Sequence, residues 1–116
     1  MKRVYVAGAY SADNVISILD NMRKGMRLST EVLLAGFAPY CPWLDHHYIL
    51  MLKENESLIV EDFYKYCLAW LEVSDAMILV SGWEGSLGTI AEIDKAEELD
   101  IPVFETMHEL LEWKDE

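Results

Sequence analysis

A chain of 116 residues is long enough for one domain with a single packed core. Its apolar fraction of 53% and its four tryptophans exclude a disordered chain. The formal net charge of −12 makes it a poor partner for a nucleic-acid polymer or an anionic membrane, yet helix N-termini and backbone N–H groups can still hold a small phosphate.

The start, "MKRVYVAGAYSADN", imitates a signal peptide with two basic residues and an apolar run. The run stops at Tyr10, with no cleavage-like region behind a long enough core. No stretch approaches the ~18 apolar residues of a membrane helix. Cys41 and Cys67 lack CxxC spacing and suit a reduced, cytoplasmic protein better than a disulfide framework.

"RVYVAGAYS" reads as a first strand buried on both faces and ending in a turn at Gly8. Ser11 or Asp13 can cap the helix that follows, which runs to about Leu34. Its apolar stripe takes in Val15, Ile18, Met22, Met26 and Leu33, and Gly36 ends it. "FAPYCP" is a short second strand limited by Pro39 and Pro42. A short helix follows, then a polar break at "KENES", then a helix from about Leu58 to Val73. "DAMILVSG" is the third strand, "IPVFE" the fourth and "MHELLEWKD" a closing helix.

Strands alternating with helices predict an α/β fold: one Rossmann-like, three-layer domain over 1–116, with a four- to five-stranded parallel sheet and helices on both faces. Ligands of such sheets bind beyond the carboxyl ends of the strands, near the switch point. The segments Gly8 to Ser11, Cys41 to Trp43, Ser81 to Ser86 and Glu105 lie at those ends. Asp75 lies at the other end of its strand and reads as structural.

Between the third and fourth strands stands "SGWEGSLGTIAEIDKA". On a helix from Leu87 to Leu99, Asp94, Lys95 and Glu98 share one side, with Gly88, Ile93, Ala96 and Leu99 opposite. Glu92 falls in the second set. A carboxylate there costs free energy unless it is paired or used, so Glu92 is either a rim residue or a working group.

Gly82 and Gly85 either let the backbone approach a ligand or simply make the turn. Ser86 can cap the helix and offer N–H groups to an anion. "CPWLDHHY" gathers Cys41, Asp45, His46 and His47, but adjacent histidines rarely share one ion and no His-x-x-x-His spacing exists. No metal site is expected, and no cofactor. Trp43 and Tyr48 either stack on a planar base or pack into the core. Tyr10 either bonds a ligand or a catalytic carboxylate, or only caps its loop. Cys67, within "YCLAWL", is a core thiol by default.

"VYVAGAYS", the Gly-Phe strand and "SDAMILVSGWEGSLGTIAEIDKAEELDIPVF" together resemble the nucleoside 2-deoxyribosyltransferase superfamily. That superfamily includes the deoxynucleoside 5′-monophosphate N-glycosidases, and "GWEGSLGTIAE" most resembles its small uncharacterised bacterial and phage branches. The resemblance covers most of the chain. It implies an N-glycosidase or deoxyribosyltransferase with Glu92 as the nucleophile that forms a glycosyl-enzyme ester. It implies Tyr10 as a catalytic partner in the turn that orients the nucleophile or contacts the sugar. Ser86 stands where the monophosphate glycosidases have a serine and the transferases an aspartate. The implied substrate contacts are Gly8, Ser11, Trp43 facing the base, Asp45, Gly85, Ser86 and Gly88. The implied partner is a small nucleotide or nucleoside, and the implied assembly is a homodimer or larger. One position departs from the pattern: Cys67 replaces the aspartate that helps protonate the leaving base. The alternative reading is a non-catalytic nucleotide-binding module on the same scaffold.

Overall fold

A computed structural model describes residues 1–115. Its elements, in chain order, are β1 (Arg3–Ala7), α1 (Val15–Leu34), β2 (Ala38–Tyr40), α2 (His46–Leu50), α3 (Val60–Leu71), β3 (Ala76–Leu79), α4 (Leu87–Glu98), β4 (Val103–Phe104) and α5 (Met107–Lys114). Short 3-10 turns at Pro42–Asp45 and Trp83–Gly85 lead into α2 and α4. Four strands form one parallel sheet in the order β2-β1-β3-β4. The α/β expectation holds, with four strands among the described residues. The chain reverses direction across the sheet between β1 and β3, so that is the switch point.

Strand alternation divides the core in two. Val4, Val6, Ala76, Ile78 and Val80 pack beneath α1 and α5, with Met22, Val32, Phe37, Trp43 and Leu110. Tyr5, Ala7, Met77 and Leu79 point the other way, against Leu71, Cys67 and Leu68 of α3 and Ile93 and Ala96 of α4. Because both faces are covered, β1 and β3 carry no polar alternation, which is why they read as continuous apolar runs.

The expected cap of α1 is corrected. Asn14, not Ser11 or Asp13, takes the extended N-cap conformation, and its Oδ1 accepts the Ser17 N–H at 2.9 Å. The α1 stripe is also shifted. Its buried positions are Met22, Gly25, Ser29 and Val32, while Val15 and Leu33 are exposed. Two small residues hold the centre of this stripe because the Trp43 indole lies directly against Gly25. Gly36 does end the helix, at φ +94°, a left-handed conformation that glycine adopts without strain. Asp75 is structural, as expected: its carboxylate accepts the Arg3 N–H at 2.7 Å and ties the foot of β3 to β1.

Candidate functional site

Glu92 lies on the inner face of α4, and the strand beneath it supplies its partner. Tyr5 is fully buried in the middle of β1, and its side chain points toward α3 and α4. A phenol in that place needs an acceptor. The Tyr5 hydroxyl finds one in Glu92, to which it donates a hydrogen bond. Burial lifts the Glu92 carboxyl to about 7, against the lowering effect of the Tyr5 bond. Burial and the Glu92 charge push the Tyr5 hydroxyl far above its ordinary range, so it stays a donor.

Aromatic residues continue outward from this pair. Tyr40 stands 5.2 Å from Tyr5 between ring centroids, and Trp70 of α3 stacks on Tyr40 at 5.9 Å. Tyr66 meets Tyr40 edge-on at 5.9 Å and Tyr48 at 5.8 Å. The Cys67 thiol lies 3.6 Å from the Tyr40 hydroxyl, and burial raises it, helped by the charges of Glu92 and Asp45. Tyr48 and Trp70 remain about half exposed, so the outer part of this wall is open to a ligand.

The N-terminus of α4 forms the next edge. Ser86 is its N-cap, as expected: its Oγ accepts the Thr89 N–H at 3.2 Å and the Thr89 hydroxyl at 2.9 Å. Both bonds use the oxygen as acceptor, so the Ser86 hydroxyl proton is left to donate elsewhere. Gly82, just upstream, sits at φ +89°, and the turn itself requires glycine there. A Cβ at Gly85 would meet open space, and one at Gly88 would come 3.4 Å from the Tyr64 hydroxyl.

A different groove, of about 640 Å³, lies on the α1 side and is lined by Arg23, Lys24, Arg27, Leu28, Val80 and Met107 among others. Two of its cations are neutralised locally: Arg23 contacts Asp20 at 2.7 Å and Arg27 contacts Glu31 at 3.5 Å. Of its charged residues, Arg23, Lys24, Arg27 and Glu105 are exposed. The chemistry therefore gathers at Glu92. Among the described residues, no three His, Cys, Asp or Glu side chains gather where they could hold a metal.

A family model described as "Domain of unknown function (DUF4406)" matches residues 2–105. The chain belongs to that family. No curated protein matches the chain. The fold of this DUF4406 member is similar to that of the 2-deoxyribosyltransferase from the psychrotolerant bacterium Bacillus psychrosaccharolyticus. The TM-score is 0.62 at 16% identity, covering 87% of this chain and 69% of that one. The DUF4406 chain thus has a deoxyribosyltransferase-like fold.

Against this geometry the expected site residues of the DUF4406 chain fall into three groups. Ser86 and Gly88 stand at the head of α4, and Glu92 lies near its middle. Tyr10 and Asp45 form a second pair: the Tyr10 hydroxyl donates to Asp45 Oδ1 at 3.1 Å. Burial raises the Asp45 carboxyl, and burial with the Asp45 charge lifts Tyr10 to about 12. Tyr10 is therefore not the partner of Glu92. Tyr5 is, because β1 places it beneath α4 whereas Tyr10 lies past the strand end, beside the turn leading to α2. Ser11 is exposed on the same loop, which Asn21 holds by donating to the Tyr10 carbonyl at 3.2 Å.

Trp43 and Gly8 form the third group, and both belong to the core. Trp43 is 1% exposed, so the expectation that it faces a base is corrected. Its indole packs on Gly25, and its N–H donates to the Ala9 carbonyl at 3.1 Å, which holds the loop after β1. A Cβ on Gly8 would come 2.6 Å from Val80 Cβ, so packing between β1 and β3 requires that glycine. Sequence reasoning missed Tyr5 and Tyr40. Tyr5 carried a signal: it is the one polar tip among the buried residues of β1, and a buried hydroxyl needs a bonded partner.

Proposed function

We propose that the chain cleaves the N-glycosidic bond of a nucleoside or nucleotide, with Glu92 as the nucleophile. The observation that carries this reading is the desolvated Glu92 carboxyl, held by the Tyr5 hydroxyl at the switch point of a deoxyribosyltransferase-like fold. A structural ion-pair glutamate would have a cationic partner, and among the described residues no cation pairs with Glu92. In the proposed reaction a Glu92 oxygen attacks the anomeric carbon, and the glycosyl ester passes to water or to an acceptor base. Tyr5 orients the attacking carboxylate. Tyr40, Tyr48, Tyr66 and Trp70 offer ring faces to the base. In this reading the free proton of Ser86 and the backbone of Gly85 and Gly88 take a 5′-phosphate, favoured by the N-terminal dipole of α4, with Ser11 as a further phosphate contact. Asp45 completes the polar rim. The protein acts without an added cofactor and works in the cytoplasm.

A screen of nucleosides and nucleoside monophosphates for released base tests the reading. Base release is expected from at least one of them, and Glu92→Gln is expected to abolish it, because an amide cannot serve as the carboxylate nucleophile. A folded Glu92→Gln that still releases base at the wild-type rate would remove Glu92 from the mechanism. The second reading, a nucleotide-binding module without catalysis, draws on Cys67, where a neutral thiol bonded to Tyr40 stands beside the glutamate. Nucleotide binding with no base release from any compound would favour it.

A further inference from the structure

The proposed reaction needs a base that can depart, and the groups around Glu92 limit which base that is. A neutral purine or pyrimidine leaves as a nitrogen anion unless a proton reaches the ring as the bond breaks. Delivering that proton is the work of a positioned acid whose pKa lies near the working pH. The groups beside Glu92 are Tyr5, Tyr40, Tyr66 and Cys67, which are hydroxyls and a thiol. Their bonds are already committed: Tyr5 donates to Glu92, and Tyr40 is paired with Cys67. Burial pushes Tyr5, Tyr40 and Cys67 all upward, which makes each a weaker proton donor.

Asp45 is a half-buried carboxyl bonded to Tyr10 beyond the end of β1. It does not form a working pair with Glu92. Glu92 accepts from Tyr5, and among the described residues no hydrogen bond joins the two carboxyls or gives them a shared partner. Asp45 instead accepts from Tyr10, and its neighbour His46 has Nδ1 against the Trp43 carbonyl at 2.6 Å. The cleft therefore holds a nucleophile without a strong acid.

The same cleft suits a cation. Its wall carries the packed rings of Tyr40, Tyr66, Tyr48 and Trp70, of which Tyr48 and Trp70 are about half exposed and can meet positive charge. Among the described residues no lysine or arginine pairs with Glu92. The two cation–π pairs among the described residues, Lys2 over Trp113 and Lys114 over Phe37, lie on the α5 side of the sheet. The formal net charge of −12 adds a long-range pull.

We propose that the substrate is an N-glycoside whose leaving group already carries positive charge, such as a ribosyl or deoxyribosyl pyridinium. This rests on the assignment of Glu92 as nucleophile. A Glu92 oxygen forms a bond to the anomeric carbon while the bond from that carbon to the ring nitrogen breaks. The electron pair of the broken bond goes to the nitrogen, cancels its charge and leaves a neutral base that needs no proton. Water then opens the ester. Its hydroxyl goes to the anomeric carbon, its proton is released to solvent, and the Glu92 carboxylate is restored.

The test compares nicotinamide riboside and its 2′-deoxy form with inosine and 2′-deoxyinosine, reading released base with the intact protein. The expected result is a kcat/KM at least ~100-fold higher for the cationic compounds, the scale of the missing acid. In Cys67→Asp, which places a carboxyl beside the cleft, the ratio is expected to fall at least tenfold through a gain on the neutral compounds. Neutral compounds cleaved by the wild type as fast as the cations would overturn the proposal and leave the glycosidic reaction standing. A folded Cys67→Asp with an unchanged ratio would overturn it too. Release from neither class would remove the glycosidic reaction itself, and this substrate class with it.

Discussion

Glu92 sits between two opposed effects. Burial raises its carboxyl to about 7 from an ordinary value of 4.5, and the Tyr5 hydroxyl pulls it back. Attack requires the carboxylate, so base release is expected to rise about tenfold from pH 6 to pH 8, following one ionisation near 7. Tyr5→Phe removes the bond that favours the ionised form, so the midpoint should move upward and the rate at pH 7 should fall. The lost bond to a charged group is worth ~1.5–3 kcal/mol. If Tyr5 were only a packing residue, the variant would melt earlier with the midpoint unmoved. Stability has the opposite pH dependence. The folded state binds the Glu92 proton more tightly than the unfolded chain, so this group's contribution is full below about 4.5 and is lost as pH rises through about 7. Glu92→Gln escapes that loss. Its melting temperature should exceed that of the wild type at pH 8, by the equivalent of at most about 3 kcal/mol, and the gain should shrink at pH 5. Thermal unfolding at the two pH values reads it directly.

Helix α1 is placed by one contact. Gly25 faces the Trp43 indole so closely that a Cβ would overlap the ring, and Ser29 one turn on turns its hydroxyl back to the Gly25 carbonyl at 2.8 Å. Alanine is the better helix former by about 1 kcal/mol, so on an exposed surface Gly25→Ala would stabilise. Here overpacking wins, and a net loss of ~1–3 kcal/mol is expected in denaturant unfolding. The effect should reach the loop after β1, because the Trp43 N–H holds the Ala9 carbonyl. An unchanged or raised midpoint would show that α1 can move away from the indole at little cost. Helix α4 is specified more locally. Ser86 caps it through Thr89, and Gly82 at φ +89° makes the turn that leads into it.

At the scale of the whole molecule, apolar surface remains uncovered. Ile16 is 71% exposed, Leu50 72%, Met51 77% and Leu87 84%, on α1, on and just after α2, and on α4. A monomer with scattered single residues of this kind is ordinary, but the exposed apolar residues at the end of α2 and around the start of α3 extend along the chain as Ile49, Leu50, Met51, Leu58, Ile59 and Val60. We propose that this surface is buried between copies of the chain. Light scattering at micromolar concentration is expected to give a dimer or larger species, and a clean monomer would remove the idea. Among the described residues no helix is long and apolar enough to cross a membrane.

The sequence by itself determined the order and type of the elements, because both strand faces are covered and the helices carry their own punctuation. Gly36, Ser86 and the "KENES" break act within a few residues of where they stand, so local chemistry suffices to read them. It also singled out Glu92, since a charge on an apolar helix face violates periodicity on its own evidence. It did not determine which tyrosine meets Glu92, whether Trp43 is inside or outside, or which residue caps α1. The first two depend on contacts between segments far apart in the chain: β1 beneath α4, and the turn before α2 against the middle of α1. Tyr5 and Tyr10 are equally plausible partners in one dimension, and only strand alternation within the sheet turns Tyr5 toward α4 and leaves Tyr10 beyond the strand end, bonded to Asp45.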